Sequence, residues 1–258
     1  MIASLGMYDF GQASAANDRL WAHVRDSLRA SGIAAPDALT RGEGAYWAAW
    51  TAPDLVLSQT CGYPFRARLY PKVQLVGTPD YGLPGCAPGH YNSVLVVRHG
   101  DPRAGLAEFA EARFAFNEDL SQSGWAAPQN HAAALGFYLR PALATGGHRF
   151  SVRAVADGKA DIAAIDAQTW ELLSREAGAT DGLRILGRTS PATPALPFIT
   201  GPGQEPKVIA EALETAIAAL TPKDRAATGL KGLIALPAEA YLAVPSPPSP
   251  RDLGFVAG

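Results

Sequence analysis

The segment Asn117-Glu-Asp-Leu-Ser121-Gln-Ser123-Gly124-Trp125 puts two hydroxyls and a glycine where one regular element hands over to the next. Upstream, Arg113-Phe-Ala-Phe-Asn117 is a short alternating run that suits a strand, and residues 124–139 are rich in Ala and read as mostly helical. A Ser-x-Ser-Gly turn at a helix start sets two hydroxyl donors beside backbone N–H groups that have no intrahelical acceptor. Glycine lets an anion approach the backbone, and the helix dipole favours negative charge there. That is oxyanion-binding chemistry built from neutral donors, with no lysine required. The plainer alternative is that Ser121 or Ser123 caps the helix.

The elements that position such a turn follow from hydropathy periodicity. Residues 2–7 read as a first strand that hands over to Tyr8-Asp9. Leu20, Val24 and Leu28 then recur every fourth residue beside Trp21, with Arg19, Arg25, Asp26 and Arg29 facing water and Gly32 as the stop. Residues 42–50 predict a short helix carrying Tyr46, Trp47 and Trp50, aromatics that core packing would also explain. Residues 54–58 form a compact apolar strand that runs into Gln59-Thr-Cys-Gly-Tyr-Pro64, and open α/β sheets meet their ligands at the carboxyl ends of strands. Cys61 has no histidine near it in sequence, and backbone geometry explains its turn as well as nucleophilic chemistry does. Further strands are predicted at 73–76, 93–97, 161–166, 183–186 and 196–200. Helices are predicted at 106–112, 151–158, 166–173, 206–220 and from Thr221-Pro222, with Ser151 and Asp166 as caps. His131 falls inside the 124–139 helix, where a lone histidine is ordinarily packed or solvated. The run from Pro245 predicts an extended, weakly structured tail.

At 258 residues the chain admits one large domain or two lobes. Charged residues make up 18% and the net charge is -2, so there is no basic groove and no nucleic-acid partner is expected. No apolar run approaches the roughly 20 residues of a membrane helix. Met1 leads into residues 2–7 with no Lys or Arg before Arg19 and no apolar leader core, so the chain as written carries no secretory signal. The expectation is a cytoplasmic protein or one whose leader has been removed. Cys61 and Cys86 lack metal-site spacing. A disulfide between them, worth roughly 3 kcal/mol on the loop-entropy model, and two reduced thiols both stay open. The sequence asks for no metal and no cofactor.

Four pieces now stand in order: Gln59-Thr-Cys-Gly-Tyr-Pro64, Tyr91-Asn-Ser-Val-Leu-Val-Val97, the 117–124 segment with its Ser-x-Ser-Gly, and Val155-x-x-Gly158-x-Ala-Asp161 followed by Ile165-Asp166. Together, across most of residues 1–220, they resemble the phosphonate-type substrate-binding proteins of ABC transporters, which take phosphate, phosphite and phosphonate. The resemblance implies an α/β chain with the type II periplasmic-binding-protein fold, two α/β lobes joined by two crossover segments and closing over a ligand cleft. Residues 1–91 and 191–258 would form the first lobe and 92–190 the inserted second. Ser121, Ser123 and the Gly124 backbone would hold the oxyanion. Tyr8, Tyr46, Gln59, Thr60 and Tyr91 would line the first-lobe and hinge side, and Asp166 would face a ligand cation. The same likeness implies a periplasmic monomer that takes a small anionic ligand of the phosphonate or phosphate-ester class to an ABC permease, with no catalytic residue. Tyr46, Trp47, Tyr63, Tyr81 and Trp125 add an aromatic load that suits a ligand with an apolar or cationic body. The rival expectation is a cytoplasmic enzyme of a cofactor-biosynthesis pathway on the same fold, using Asp166 and His131 for proton transfer. A ligand sensor is a third.

Overall fold

Two five-stranded mixed sheets organise the chain, one in each of two units, across residues 1–256 that this computed structural model describes. The first unit comprises residues 1–90 and 194–242, and its sheet runs in the order Ile2–Ser4, Leu55–Gln59, Phe198–Thr200, Gln74–Asp80, Gly232–Ile234. Ile2–Ser4 and Leu55–Gln59 are parallel, whereas Phe198–Thr200 runs antiparallel to both of its neighbours. Leu55–Gln59 is buried at every position, which is why it reads as a continuous apolar run rather than an alternation. Helix Gln12–Ala30 buries Leu20, Trp21, Val24 and Leu28, the face its periodicity predicts, and packs on helices Pro206–Ala219 and Pro222–Thr228. The latter begins as its sequence indicates, with Thr221 accepting from the Asp224 N–H and Pro222 in the first turn.

The second unit comprises residues 91–193 together with the chain from Ala243, and its sheet order is Pro141–Ala144, Phe114–Phe116, Ile162–Asp166, Ser93–Arg98, Leu183–Arg188. The first three strands are parallel, and Ser93–Arg98 is antiparallel to both neighbours. Ser93 pairs with Asp166, so the start of the antiparallel strand lies at the carboxyl edge of the parallel ones. At the opposite edge Asp161 accepts from Arg113 and Arg98 (2.9 and 3.0 Å). The Arg113 hydrogen bonds, then that of Arg98, hold its carboxyl far below the usual range. The chain passes between units at His90/Tyr91, Thr193/Pro194 and Leu242/Ala243, and His90–Tyr91 pairs with Thr193–Pro194 as a two-stranded ladder.

Several expectations change. The segment from Ala243 groups with the second unit, not with the first as 191–258 was expected to. It is also better held than a proline-rich tail suggests. Pro248 O accepts the Trp125 indole N–H at 3.1 Å, the Phe255 ring stands edge-on to Phe116 at 5.1 Å, and Ser249 hydrogen-bonds Asp252. The helix expected over 124–139 begins with a wide turn, Gln122–Ala126, and ends at Ala133, because Gly136 turns the chain with φ at 89° and Pro141 opens a strand. Residues 42–50 are two single turns, Gly42–Ala45 and Trp47–Trp50, and 106–112 shrinks to Leu106–Phe109. Ser151 is no cap: its helix starts three residues earlier, at His148, and its hydroxyl pairs with Thr145 Oγ1 at 2.7 Å. Cys61 and Cys86 form no disulfide. Cys61 is buried at a turn start, while the Cys86 sulfur lies 3.8 Å from the Pro84 carbonyl in a separate loop.

A chain ended at Val244 would leave the buried Trp125 N–H without its acceptor and strip the cover from Phe116. The loss of one buried bond amounts to about 1–3 kcal/mol, and at about 2–4 °C per kcal/mol for a chain of this size thermal unfolding of the shortened chain should begin roughly 2–12 °C lower. An unchanged melting curve would mean that the tail contributes nothing to the second unit.

Candidate ligand-binding site

At the carboxyl edge of the second sheet, Phe116 runs into Asn117, Ala144 into Thr145, and Ile165 into Asp166, while Ser93 begins its strand alongside. Ser121 has extended backbone (φ -75°, ψ 127°) and its Oγ accepts from the Gly124 N–H at 2.9 Å. The capping alternative is therefore correct for Ser121, but accepting uses an oxygen lone pair and leaves the hydroxyl hydrogen available to donate. Ser123 is 3% exposed. Its carbonyl accepts from Ser93 Oγ at 2.8 Å, and its own Oγ lies 2.8 Å from His148 Nε2. A methyl group on Gly124 would meet Asn117 Oδ1 at 1.8 Å and Asn117 Cγ at 2.7 Å, so any side chain there would have to displace the Asn117 amide. Asn117 Oδ1 is itself buried without a hydrogen-bond partner. Beneath the turn Trp125 is fully buried against Phe116 and Phe114, with ring centroids 5.0 and 6.2 Å away. It is a foundation for the turn and leaves the set of aromatics expected to meet a ligand.

His148 is the residue that sequence reading missed. It opens helix His148–Ala156 directly after the unpredicted strand Pro141–Ala144 and the turn Thr145-Gly-Gly. A glycine pair ahead of Ser151, Val152 and Val155, which share one buried face, was the available signal. Burial pushes the imidazole down to about 4, and the Ala164 carbonyl opposes that fall. Asp166 is 2% exposed, and its Oδ1 accepts from the Thr169 N–H at 2.8 Å, so its local role is the helix cap that its type predicts. His131 Nδ1 lies 3.2 Å from the Ser190 carbonyl.

In the first unit, Tyr8 and Gln59 meet at the carboxyl ends of the parallel strands, where with Asn17 and Tyr81 they line a cavity of about 20 Å³, room for one water. Gln59 Nε2 donates to Tyr81 Oη and to the Leu196 carbonyl, both at 3.1 Å, and Tyr8 stands edge-on to Tyr81 at 5.4 Å. These groups mainly brace one another. Thr60 is fully buried, and its Oγ1 has no hydrogen-bond partner. Tyr46 keeps 41% of its surface exposed and Trp47 38%. The Tyr46 hydroxyl donates to Gly6 O at 3.1 Å, and both rings rest edge-on against the buried Trp50. Tyr63 is buried under the Arg66 guanidinium. Tyr91 is 1% exposed in the crossing ladder.

Two α/β units of this topology define the type II periplasmic-binding-protein fold. PhnD1 from Prochlorococcus marinus, solved in complex with methylphosphonate, is similar over 93% of this chain and 94% of its own, with a TM-score of 0.69 and 18% identity. XAC2383 from Xanthomonas citri, solved bound to ATP, is similar over 94% and 98%, with a TM-score of 0.64 and 16% identity. A binding-protein component of an ABC phosphonate transporter from Pseudomonas aeruginosa is similar over 87% and 76%, at 0.56 and 11%. No curated protein matches the sequence. Residues 53–240 match the family of ABC transporter, phosphonate, periplasmic substrate-binding proteins, and the chain belongs to that family.

The buried imidazole makes a prediction about stability. A depressed histidine binds a proton more readily when unfolded, so its contribution is complete above the unfolded value of about 6.5 and is lost as pH falls toward 4. Denaturant titrations of the ligand-free protein should lose about 2 kcal/mol between pH 7.5 and pH 5, a window above most carboxylate titration. His148→Gln should flatten that slope, and an equal slope in both proteins would refute the assignment.

Proposed function

We propose that this chain, as a periplasmic monomer, captures a small organic oxyanion of the phosphonate or phosphate-ester class at the Ser121–Gly124 turn and delivers it to an ABC permease. The observation that carries the reading is the turn itself, two serine hydroxyls and a side-chain-free backbone at a helix start, at the carboxyl ends of the parallel strands of a mixed sheet. The family supplies the transporter. Its structural relatives carry a methylphosphonate in one case and ATP in another, ligands that share a tetrahedral phosphorus-centred oxyanion. In the first unit the Thr60 hydroxyl is buried without a partner, and the Tyr46 and Trp47 rings are partly exposed. Tyr8 and Gln59 act as braces, Tyr91 and Asp166 as buried supports. The rival enzyme reading relied on Asp166 and His131, but the first caps a helix and the second leans on a backbone carbonyl.

Titration calorimetry with methylphosphonate, methyl phosphate and acetate tests the proposal. The two phosphorus oxyanions should bind, and the Ser121→Ala, Ser123→Ala double variant should weaken them about 10–100-fold, the equivalent of one or two charge-assisted hydrogen bonds. Gly124→Ala should do the same by pushing Asn117 aside while circular dichroism stays unchanged. Binding that is indifferent to all three substitutions would place the oxyanion elsewhere.

A further inference from the structure

The wide turn Gln122–Ala126 leaves one carbonyl that its own helix cannot serve. Ala126 N–H donates to Ser121 O and Ala127 N–H to Gln122 O, each bond reaching back five residues, so the next donor in that register belongs to residue 128. Residue 128 is proline, which has no N–H. Ser93 answers the Ser123 carbonyl from the neighbouring strand. Its hydroxyl donates to Ser123 O at 2.8 Å, and the direction is fixed because a carbonyl can only accept. Ser93 is itself fully buried and held by Thr189 on both sides of its backbone: Ser93 N–H donates to Thr189 Oγ1, and Thr189 N–H donates to Ser93 O, both at 2.9 Å. Ser93 follows the crossing at His90/Tyr91, and Thr189 precedes the one at Thr193/Pro194.

The Ser123–Gly124 peptide is trans, so its carbonyl and its N–H point in opposite directions, and a grip on Ser123 O also aims the Gly124 N–H. That N–H donates to Ser121 Oγ at 2.9 Å, which leaves the Ser121 hydrogen available to a ligand. One chain of donors therefore runs from the Ser93 hydroxyl through the Ser123–Gly124 peptide to the Ser121 hydroxyl. Each bond in such a chain polarises the next, so the hydroxyl at its end donates more strongly than it would alone. We propose that Ser93 is a positioning residue for oxyanion capture: without touching the ligand, it aims and strengthens the Ser121 hydroxyl through the Ser123–Gly124 peptide. The inference rests on the reading that Ser121 donates to the bound oxyanion. It also gives the proline a purpose, since an N–H at residue 128 would compete with Ser93 for the same carbonyl.

Calorimetry of the intact protein with methylphosphonate, run as a double-mutant cycle, separates this role from plain support of the fold. Ser93→Ala should weaken binding about tenfold, the equivalent of roughly 1.4 kcal/mol. In a Ser121→Ala background the same substitution should cost less than about twofold, because the hydroxyl it acts through is gone. Ser93→Thr, which keeps a hydroxyl, should bind within about threefold of the wild type, and adding Pro128→Ala to Ser93→Ala should recover part of the loss by supplying the missing N–H. If Ser93→Ala does not fold, Ser93→Cys, of similar volume but only a weak donor, takes its place in the cycle. In the ligand-free protein the Gly124 amide should exchange its hydrogen at least about tenfold faster once the Ser93 hydroxyl is removed. Wild-type affinity in Ser93→Ala, or losses from Ser93→Ala and Ser121→Ala that simply add, overturn this inference and leave oxyanion capture standing. Failure of the wild-type protein to bind methylphosphonate overturns the capture reading, and an unchanged Gly124 exchange rate overturns the chain of donors whether or not the ligand binds.

Discussion

The indole of Trp125 fills the space beneath the serine turn, fully buried against Phe114 and Phe116 with its N–H donated to Pro248. Everything the turn can do depends on that packing. Hydroxyls that select an anion by orientation must be fixed before the anion arrives, since ordering them on binding would consume the affinity they provide. The indole fixes the turn from below, Ser93 fixes the Ser123 carbonyl from the side, and the absence of a side chain at Gly124 lets Asn117 close against it. The turn is therefore held by apolar burial and neutral hydrogen bonds, with the Ser121 hydroxyl accepting from within the turn and the Ser123 hydroxyl engaged with His148.

Much of this arrangement was legible in the sequence, for definable reasons. The four-residue recurrence of Leu20, Val24 and Leu28 specifies a buried helical face without help from elsewhere, and the structure has that face. The unbroken apolar runs at 55–57 and 94–97 can be satisfied by a strand covered on both sides. Thr221-Pro222 and Asp166 carry cap chemistry in their own side chains. Ser-x-Ser-Gly announced a strand-to-helix turn because its physics is local: a hydroxyl, a backbone N–H and a missing Cβ within four residues.

The illegible parts are those where distant residues decide. His148 looks like any exposed histidine until the short strand Pro141–Ala144 carries it to the serine turn, and that strand has too little alternation to stand out. The role of Trp125 was misread because sequence records its size and not the direction in which it faces. A prolyl-rich tail has no periodicity, yet Pro248 and Phe255 find their places through an indole N–H and an aromatic edge more than 100 residues away in the chain. The Gln59 amide nitrogen donates to Tyr81 and the Leu196 carbonyl, partners that the fold supplies and the sequence does not show.

The two ends of the second sheet are held by different physics. One is stitched by ions, Asp161 gathering Arg98 and Arg113, with half of the Arg113 side chain open to water. The other is shaped by serines, glycine and a neutral imidazole. Dissolved electrolyte screens charges that face water and barely touches buried dipoles. A brackish or saline medium would therefore slacken the stitched end while leaving the geometry of the hydroxyls intact, so the two ends of one sheet answer to salinity separately.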